Sequence, residues 1–267
     1  MNYVARYGLE FNPFVKNSQD IIIETSDYKQ IKQRLNFLME NNGFGVLTGE
    51  PGRGKTTAIR HWTKGLSPDR YNVVYTSLST LTLNEFYKHM AEEFGLEARH
   101  RKSDNYKLIQ AEINRYHMEK RITPVFIIDE ASHINNSILN DLKILFNFEM
   151  DSRDRAIVLL TGNPSLNNTL RLSVNEALRQ RITMNYKMNN LNKEDGRIYI
   201  QSRLHGAKCS QTVFDEQALE TILNASNGVP RIINKIADMC LIIGNEHQSE
   251  IINSDIAMKA VDEIELD

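Results

Sequence analysis

Residues 49–56 read Gly49-Glu50-Pro51-Gly52-Arg53-Gly54-Lys55-Thr56, with Thr57 next. This is the spacing G-x-x-x-x-G-K-[ST]. Glycines at those positions let the backbone bend so that successive N–H groups turn inward on anionic oxygens. Before the stretch, Phe44 to Thr48 is a short apolar run that reads as a buried strand. After it, Thr56 to Gly65 reads as a helix, which adds unpaired N–H groups and a positive dipole end. Lys55 is expected to reach the β- and γ-phosphates of a nucleotide, and Thr56 to place its hydroxyl on Mg²⁺.

Downstream, Val125-Phe126-Ile127-Ile128-Asp129-Glu130 is an apolar strand ending in two carboxylates. Asp129 is expected to hold Mg²⁺, directly or through water, and Glu130 to orient and polarise an attacking water. Further strands are expected at Asn72–Ser77, Ala156–Thr161 and Ile182–Met188. Between them lie helical patterns over 27–41 (a capping-box-like start at Asp27 and Gln30), from a Thr82/Glu85 capping box to Gly95, over 103–120 and over 137–150. Alternating strands and helices imply an α/β fold, a mostly parallel sheet covered on both faces.

After about residue 190 the strands stop. Segments 192–206, 215–226, 230–245 and 254–264 read as helices, with Asp215 and Ser254 as N-caps and Pro230 at a first helical position. Residues 1–190 are therefore expected to form an α/β nucleotide-binding domain with an irregular N-terminal linker (1–25), and 191–267 a small helical domain.

Composition narrows the classes. Among 267 residues, 32 Lys+Arg against 34 Asp+Glu leave a net charge of −2, so any basic surface must be local. Cys209 and Cys240 make neither a disulfide framework nor a zinc cluster, and read as thiols of a reducing, cytoplasmic compartment. No apolar run reaches the ~18 residues of a membrane span, and the N-terminus lacks the pattern of a signal peptide. No metal-ligand spacing joins the His residues; His133 reads as structural or a polar relay, Trp62 as packing.

Taken together, these residues resemble the AAA+ ATPases over roughly 8–263. GEPGRGKT looks like Walker A and VFIIDE like Walker B. That resemblance implies a five-stranded parallel P-loop core with an α-helical lid, ATP and Mg²⁺ as cofactors, and ATP hydrolysis as the reaction. It implies for Asn163 the polar sensor that holds the attacking water. It implies for Arg231, in Gly228-Val229-Pro230-Arg231, nucleotide contact from the lid. In Ala177-Leu178-Arg179-Gln180-Arg181-Ile182, either Arg181 or Arg179 would be the finger acting on a neighbouring subunit, so hydrolysis is expected to depend on a ring or helical homo-oligomer.

Within AAA+, Tyr7-Gly8-Leu9 with Pro13-Phe14, the FGVLTGE lead-in, the LRQRI run and Gly-x-Pro-Arg are similar to the ExeA-like branch and to transposition helpers of the TniB, TnsC and MuB type. The resemblance implies double-stranded DNA and a transposase as partners. Arg99, Arg101 and Lys102, a local basic stretch beside Ser103, are the candidate DNA contacts, suited to backbone phosphates rather than base edges. The other role in this branch is secretion-system assembly. Proteins of that kind carry a membrane segment and a cell-wall-binding portion after the ATPase; this sequence ends near its lid with neither, so transposition without a membrane association is the expectation.

Overall fold

Five strands make one parallel sheet in the order β2-β3-β4-β1-β5. In this computed structural model, which describes residues 3–16, 21, 23–77, 80–149 and 153–264, they are β1 (Gly43–Thr48), β2 (Tyr71–Thr76), β3 (Thr123–Ile128), β4 (Ile157–Gly162) and β5 (Ile182–Lys187). Every residue of the interior strands β1 and β4 is buried. That is why their sequences are unbroken apolar runs. The edge strands β2 and β5 alternate instead: on β2, Val73 and Tyr75 are exposed while Val74 and Thr76 are buried.

By its contacts the chain forms two compact units. One comprises Gln30–Pro51 and Lys55–Met188, and carries the sheet. On one sheet face Phe44, Val46, Val74, Phe126, Ile128, Val158 and Leu160 join a core with Phe86, Met90, Ile109, Ile138 and Leu142 from the helices Leu83–Glu93, Lys102–Arg115 and Asn136–Leu145. On the other face the helix Ser26–Asn41 lies so close that a Cβ on Gly45 would stand 2.5 Å from Leu38 Cδ2. Thr82 and Glu85 close the expected capping box. The helix Asn136–Leu145 stops at Phe146, and the end expected at Met150 lies outside the described residues.

The other unit comprises Met1–Lys29, Gly52–Gly54 and Asn189–Asp267. Its longer helices include Lys193–Gly206, Glu216–Ala225, Pro230–Glu246 and Ser254–Ile264. Asn192 and Asp215 cap the first two, and Pro230 opens the third. The N-terminal stretch is no loose linker here. Tyr7, Leu9 and Phe14 are buried in the same core as Ile233, Cys240 and Ile252. The Glu10 N–H donates to Ala207 O at 2.9 Å, and Arg203 Nη1 donates to Pro13 O at 3.0 Å.

Two capping expectations change. Asp27 does not cap the helix Ser26–Asn41. Thr25, one residue before its start, accepts the Tyr28 N–H on its hydroxyl at 3.3 Å. For Ser254–Ile264, Asn253 rather than Ser254 takes the Ile256 N–H, at 3.1 Å. In both places a better-placed acceptor lies one or two residues upstream of the expected cap, where the backbone is still non-helical.

Candidate functional site

The loop that follows β1 uses its glycines for backbone geometry. Gly52 and Gly54 have φ of +84° and +96°, a region that L side chains rarely enter. In the helical unit the Arg231 N–H donates to Gly52 O at 3.2 Å. A Cβ on Gly52 would fall 2.8 Å from Arg231 Cβ. Position 52 therefore excludes a side chain on two counts.

Lys55 opens the helix Lys55–Lys64 and is buried, 8% exposed. Its Nζ donates to Gly49 O at 2.7 Å and to Glu50 O at 3.3 Å. The ammonium is thus folded back across the mouth of the loop it belongs to. Thr56 and Thr57 are exposed at the start of the same helix, as are Glu50 and Pro51 in the loop.

Asp129 follows β3 directly and is 3% exposed. Four donors surround its carboxylate. Thr56 Oγ1 donates to Oδ2 at 2.9 Å and Tyr75 OH to the same oxygen at 3.0 Å. Thr161 Oγ1 donates to Oδ1 at 3.0 Å and the Glu130 N–H at 2.9 Å. The sheet order explains this gathering. β3 lies between β2, which carries Tyr75, and β4, which carries Thr161. Parallel strands bring their carboxyl ends to one side of the sheet, where Thr56 also begins its helix.

Glu130 follows Asp129 in the chain. Its backbone is left-handed, φ 53° and ψ 31°, and its side chain is exposed. Among the described residues six other non-glycine positions share this left-handed backbone. Burial pushes the Tyr75 hydroxyl up to about 12, aided by the Asp129 charge and hydrogen bond and by Glu130. It stays a proton donor throughout the neutral range.

The structure brings Asn163 to the end of β4 but engages its side-chain oxygen locally. Oδ1 accepts the Ser165 N–H at 2.8 Å, an Asx turn opening the helix Ser165–Arg171. Its backbone N–H donates to Ser132 Oγ at 2.7 Å.

The two arginines before β5 differ sharply. Arg181 is held inside its own chain: Nη1 donates to Lys143 O at 2.8 Å, Nη2 to Phe146 O at 2.9 Å and to Asp154 Oδ1 at 2.8 Å. Its guanidinium also lies over the Phe44 ring, 5.0 Å from the centroid. Arg179 is exposed, reaching Arg171 O at 3.1 Å and Glu176 at 3.9 Å.

The basic stretch is likewise divided. Lys102 pairs with Asp141, which also accepts from the buried Tyr87 hydroxyl at 3.0 Å. Arg99 and Arg101 are exposed, Arg99 lying 3.8 Å from Glu97. Sequence reasoning missed Tyr75 and Thr161. Thr161 stands in the run that reads as a strand; nothing local marks either residue, because their roles arise from the order in which strands pair.

Among the described residues no three His, Cys, Asp or Glu side chains cluster as a metal cage. A hydroxyl beside a carboxylate is nevertheless the hard-oxygen pair that suits Mg²⁺ bound together with phosphates and waters. No helix among the described residues is long and apolar enough to cross a membrane.

Comparisons with known proteins bear on the family and the fold. A family model described as "AAA domain" matches residues 38–170. The chain is 32% identical over 265 residues to General secretion pathway protein A of Aeromonas hydrophila, covering 97% of this chain and 48% of that one. It is 30% identical over 144 residues to the Mu-like prophage FluMu DNA transposition protein B of Haemophilus influenzae, covering 54% and 47%. It thus spans about half the length of these curated relatives. Both fall in the branch that the sequence resembles. Among solved structures, Cdc6p from Pyrobaculum aerophilum superposes with a TM-score of 0.70 at 16% identity, over 94% of this chain and 70% of that one. At that identity the likeness is one of fold.

Proposed function

We propose, for a chain whose residues 38–170 belong to the AAA domain family, a magnesium-dependent ATPase that assembles on double-stranded DNA and recruits or activates a transposase. The observation that carries the ATPase reading is the 2.9 Å hydrogen bond from Thr56 to Asp129. It joins the first helical residues after the glycine loop to the acidic end of β3.

In this reading the N–H groups from Gly49 to Thr57 cradle the phosphates. Lys55 exchanges the Gly49 and Glu50 carbonyls for phosphate oxygens. Thr56 and Asp129 hold Mg²⁺, which when bound offsets charge on the β- and γ-phosphates. Glu130, exposed and held in its left-handed turn, orients the attacking water and accepts its proton. Asn163 steadies that water, and Arg231, whose N–H meets Gly52 O, contacts the nucleotide. Arg179, rather than Arg181, reaches the next subunit; the exposure of Arg179 and the internal bonds of Arg181 support that choice. Arg99 and Arg101 supply phosphate contacts on DNA, which repetition along a homo-oligomer would multiply.

The DNA reading is supported by the relative named for DNA transposition. A second reading, an ATPase for secretion-system assembly, is favoured by a relative named for general secretion that is matched over 97% of this chain. One experiment separates them: electron microscopy of the protein with duplex DNA, with and without a non-hydrolysable ATP analogue. Ordered protein on DNA only with nucleotide supports the first. Bare DNA under every condition overturns it and leaves the second. Calorimetry of ATP with Mg²⁺ tests the shared premise, which fails if no binding heat is registered.

A further inference from the structure

A carboxylate offers about four lone-pair sites to hydrogen-bond donors. At Asp129 all four are taken: Thr161 and the Glu130 N–H on Oδ1, Thr56 and Tyr75 on Oδ2. Mg²⁺ gives up its waters reluctantly and keeps several when bound. Each such water is itself a donor. A hydrated cation at Thr56 and Asp129 therefore needs an oxygen lone pair that is already occupied, and one of the four donors has to leave.

The four are not equally replaceable. Thr161 is wholly buried on an interior strand. The Glu130 N–H is backbone, fixed by the chain that carries Asp129. The Thr56 hydroxyl can serve both sides at once, its proton on Asp129 and its lone pair toward a cation. The Tyr75 hydroxyl has a lone pair too, but its place in the fold sets it apart. The residue sits on the edge strand β2, on the face where Val73 and Tyr75 are 37% and 41% exposed, so its side chain borders solvent even though its hydroxyl is partly buried against Asp129. Nor is it needed to aim the carboxylate, since the other three donors already fix both oxygens.

We propose that Tyr75 is a stand-in donor: it fills the Asp129 Oδ2 site when no cation is there and yields that site to a water of the incoming hydrated Mg²⁺. Tyr75 is a positioning residue by this account, acting on the cation through Asp129. The inference rests on the reading above that Thr56 and Asp129 hold Mg²⁺. Its consequence is a built-in competition. The buried carboxylate keeps a full set of partners without metal, and metal entry carries the cost of breaking one hydrogen bond to a charged group.

The test compares Tyr75→Phe with the unaltered protein in the binding of a non-hydrolysable ATP analogue, once with excess Mg²⁺ and once with a chelator. The quantity read is the ratio of the two affinities, so no turnover is involved. Removing the competing hydroxyl should raise the ratio about fivefold to tenfold, the change coming from the Mg²⁺ arm. Tyr75→Leu should act in the same direction, which covers the case in which the first variant folds poorly. Thr161→Val, which removes a donor that does not compete, should not raise the ratio. A ratio unchanged or lowered in both Tyr75 variants overturns the proposal. If the unaltered protein already binds the analogue equally well with chelator, the Mg²⁺ reading itself falls and takes this inference with it.

Discussion

The Arg181 guanidinium meets the Asp154 carboxylate at 2.8 Å, across 27 residues of chain. Two main-chain carbonyls and the Phe44 ring also hold it. An arginine with both terminal nitrogens engaged in its own subunit is a tie within the fold. Its neighbour two residues earlier keeps a side chain that can be extended.

Arg181→Ala should therefore act on stability. Losing a mostly buried ion pair and stranding two carbonyls costs about 2–3 kcal/mol, a fall in melting temperature of roughly 5–10 °C. Arg179→Ala should leave melting within about 1 °C, since its bonds are exposed and worth little, while abolishing assembly-dependent ATP turnover. Calorimetric melting and a turnover assay at rising protein concentration check both. The reverse pattern would assign the trans role to Arg181.

Lys55 and Glu130 should separate binding from chemistry. Lys55→Ala removes the cation at the loop mouth, and ATP affinity should drop at least tenfold. Glu130→Gln keeps size and shape but removes the base. ATP should still bind, and nucleotide-dependent assembly should persist, while kcat falls about 100-fold or more. Loss of binding in Glu130→Gln would show that the residue acts on the ground state.

The basic stretch gives a salt-dependent expectation. Neutralising Arg99 and Arg101 together should weaken DNA binding evenly across sequences. The slope of log affinity against log salt should flatten by about two units per subunit engaged. Lys102→Ala should instead lower stability, because Lys102 answers Asp141 beneath it. Filter binding across a salt series, with melting curves alongside, distinguishes the two effects.

Alkaline pH should loosen the fold. Burial pushes the Cys240 thiol up to about 12 from 9.0. Between those values the unfolded chain releases a proton that the folded chain keeps. Folding stability is thus full below about pH 9 and declines as pH rises toward 12. Tyr75 is shifted the same way. Melting temperature should fall above pH 9, and Cys240 should resist alkylation at pH 8.5 until the protein is unfolded.

The strands were legible because interior parallel strands must be apolar throughout, as at Val125–Ile128. The glycine loop was legible because its backbone demands are written in residue type. The capping box at Thr82 and Glu85 is a local contract and was read directly. What escaped reading depends on partners distant in sequence. Nothing near Tyr75 reveals that it will stand 54 positions from its acceptor in Asp129. Nothing near Arg181 reveals Asp154. The stretch 1–25 read as irregular because Tyr7, Leu9 and Phe14 are ordered by a core they join rather than by a periodicity of their own.

That last feature bears on how the molecule comes into being. Tyr7 donates its hydroxyl to the carbonyl of Ser249, 242 positions later. In synthesis from the N-terminal side Tyr7 is made long before Ser249, yet the core it joins exists only once Ile252 and Ala257 have been made. The sheet can be finished in the meantime, its last strand ending at Lys187. Tyr7 thereby waits, already made, for partners that arrive far later in the chain.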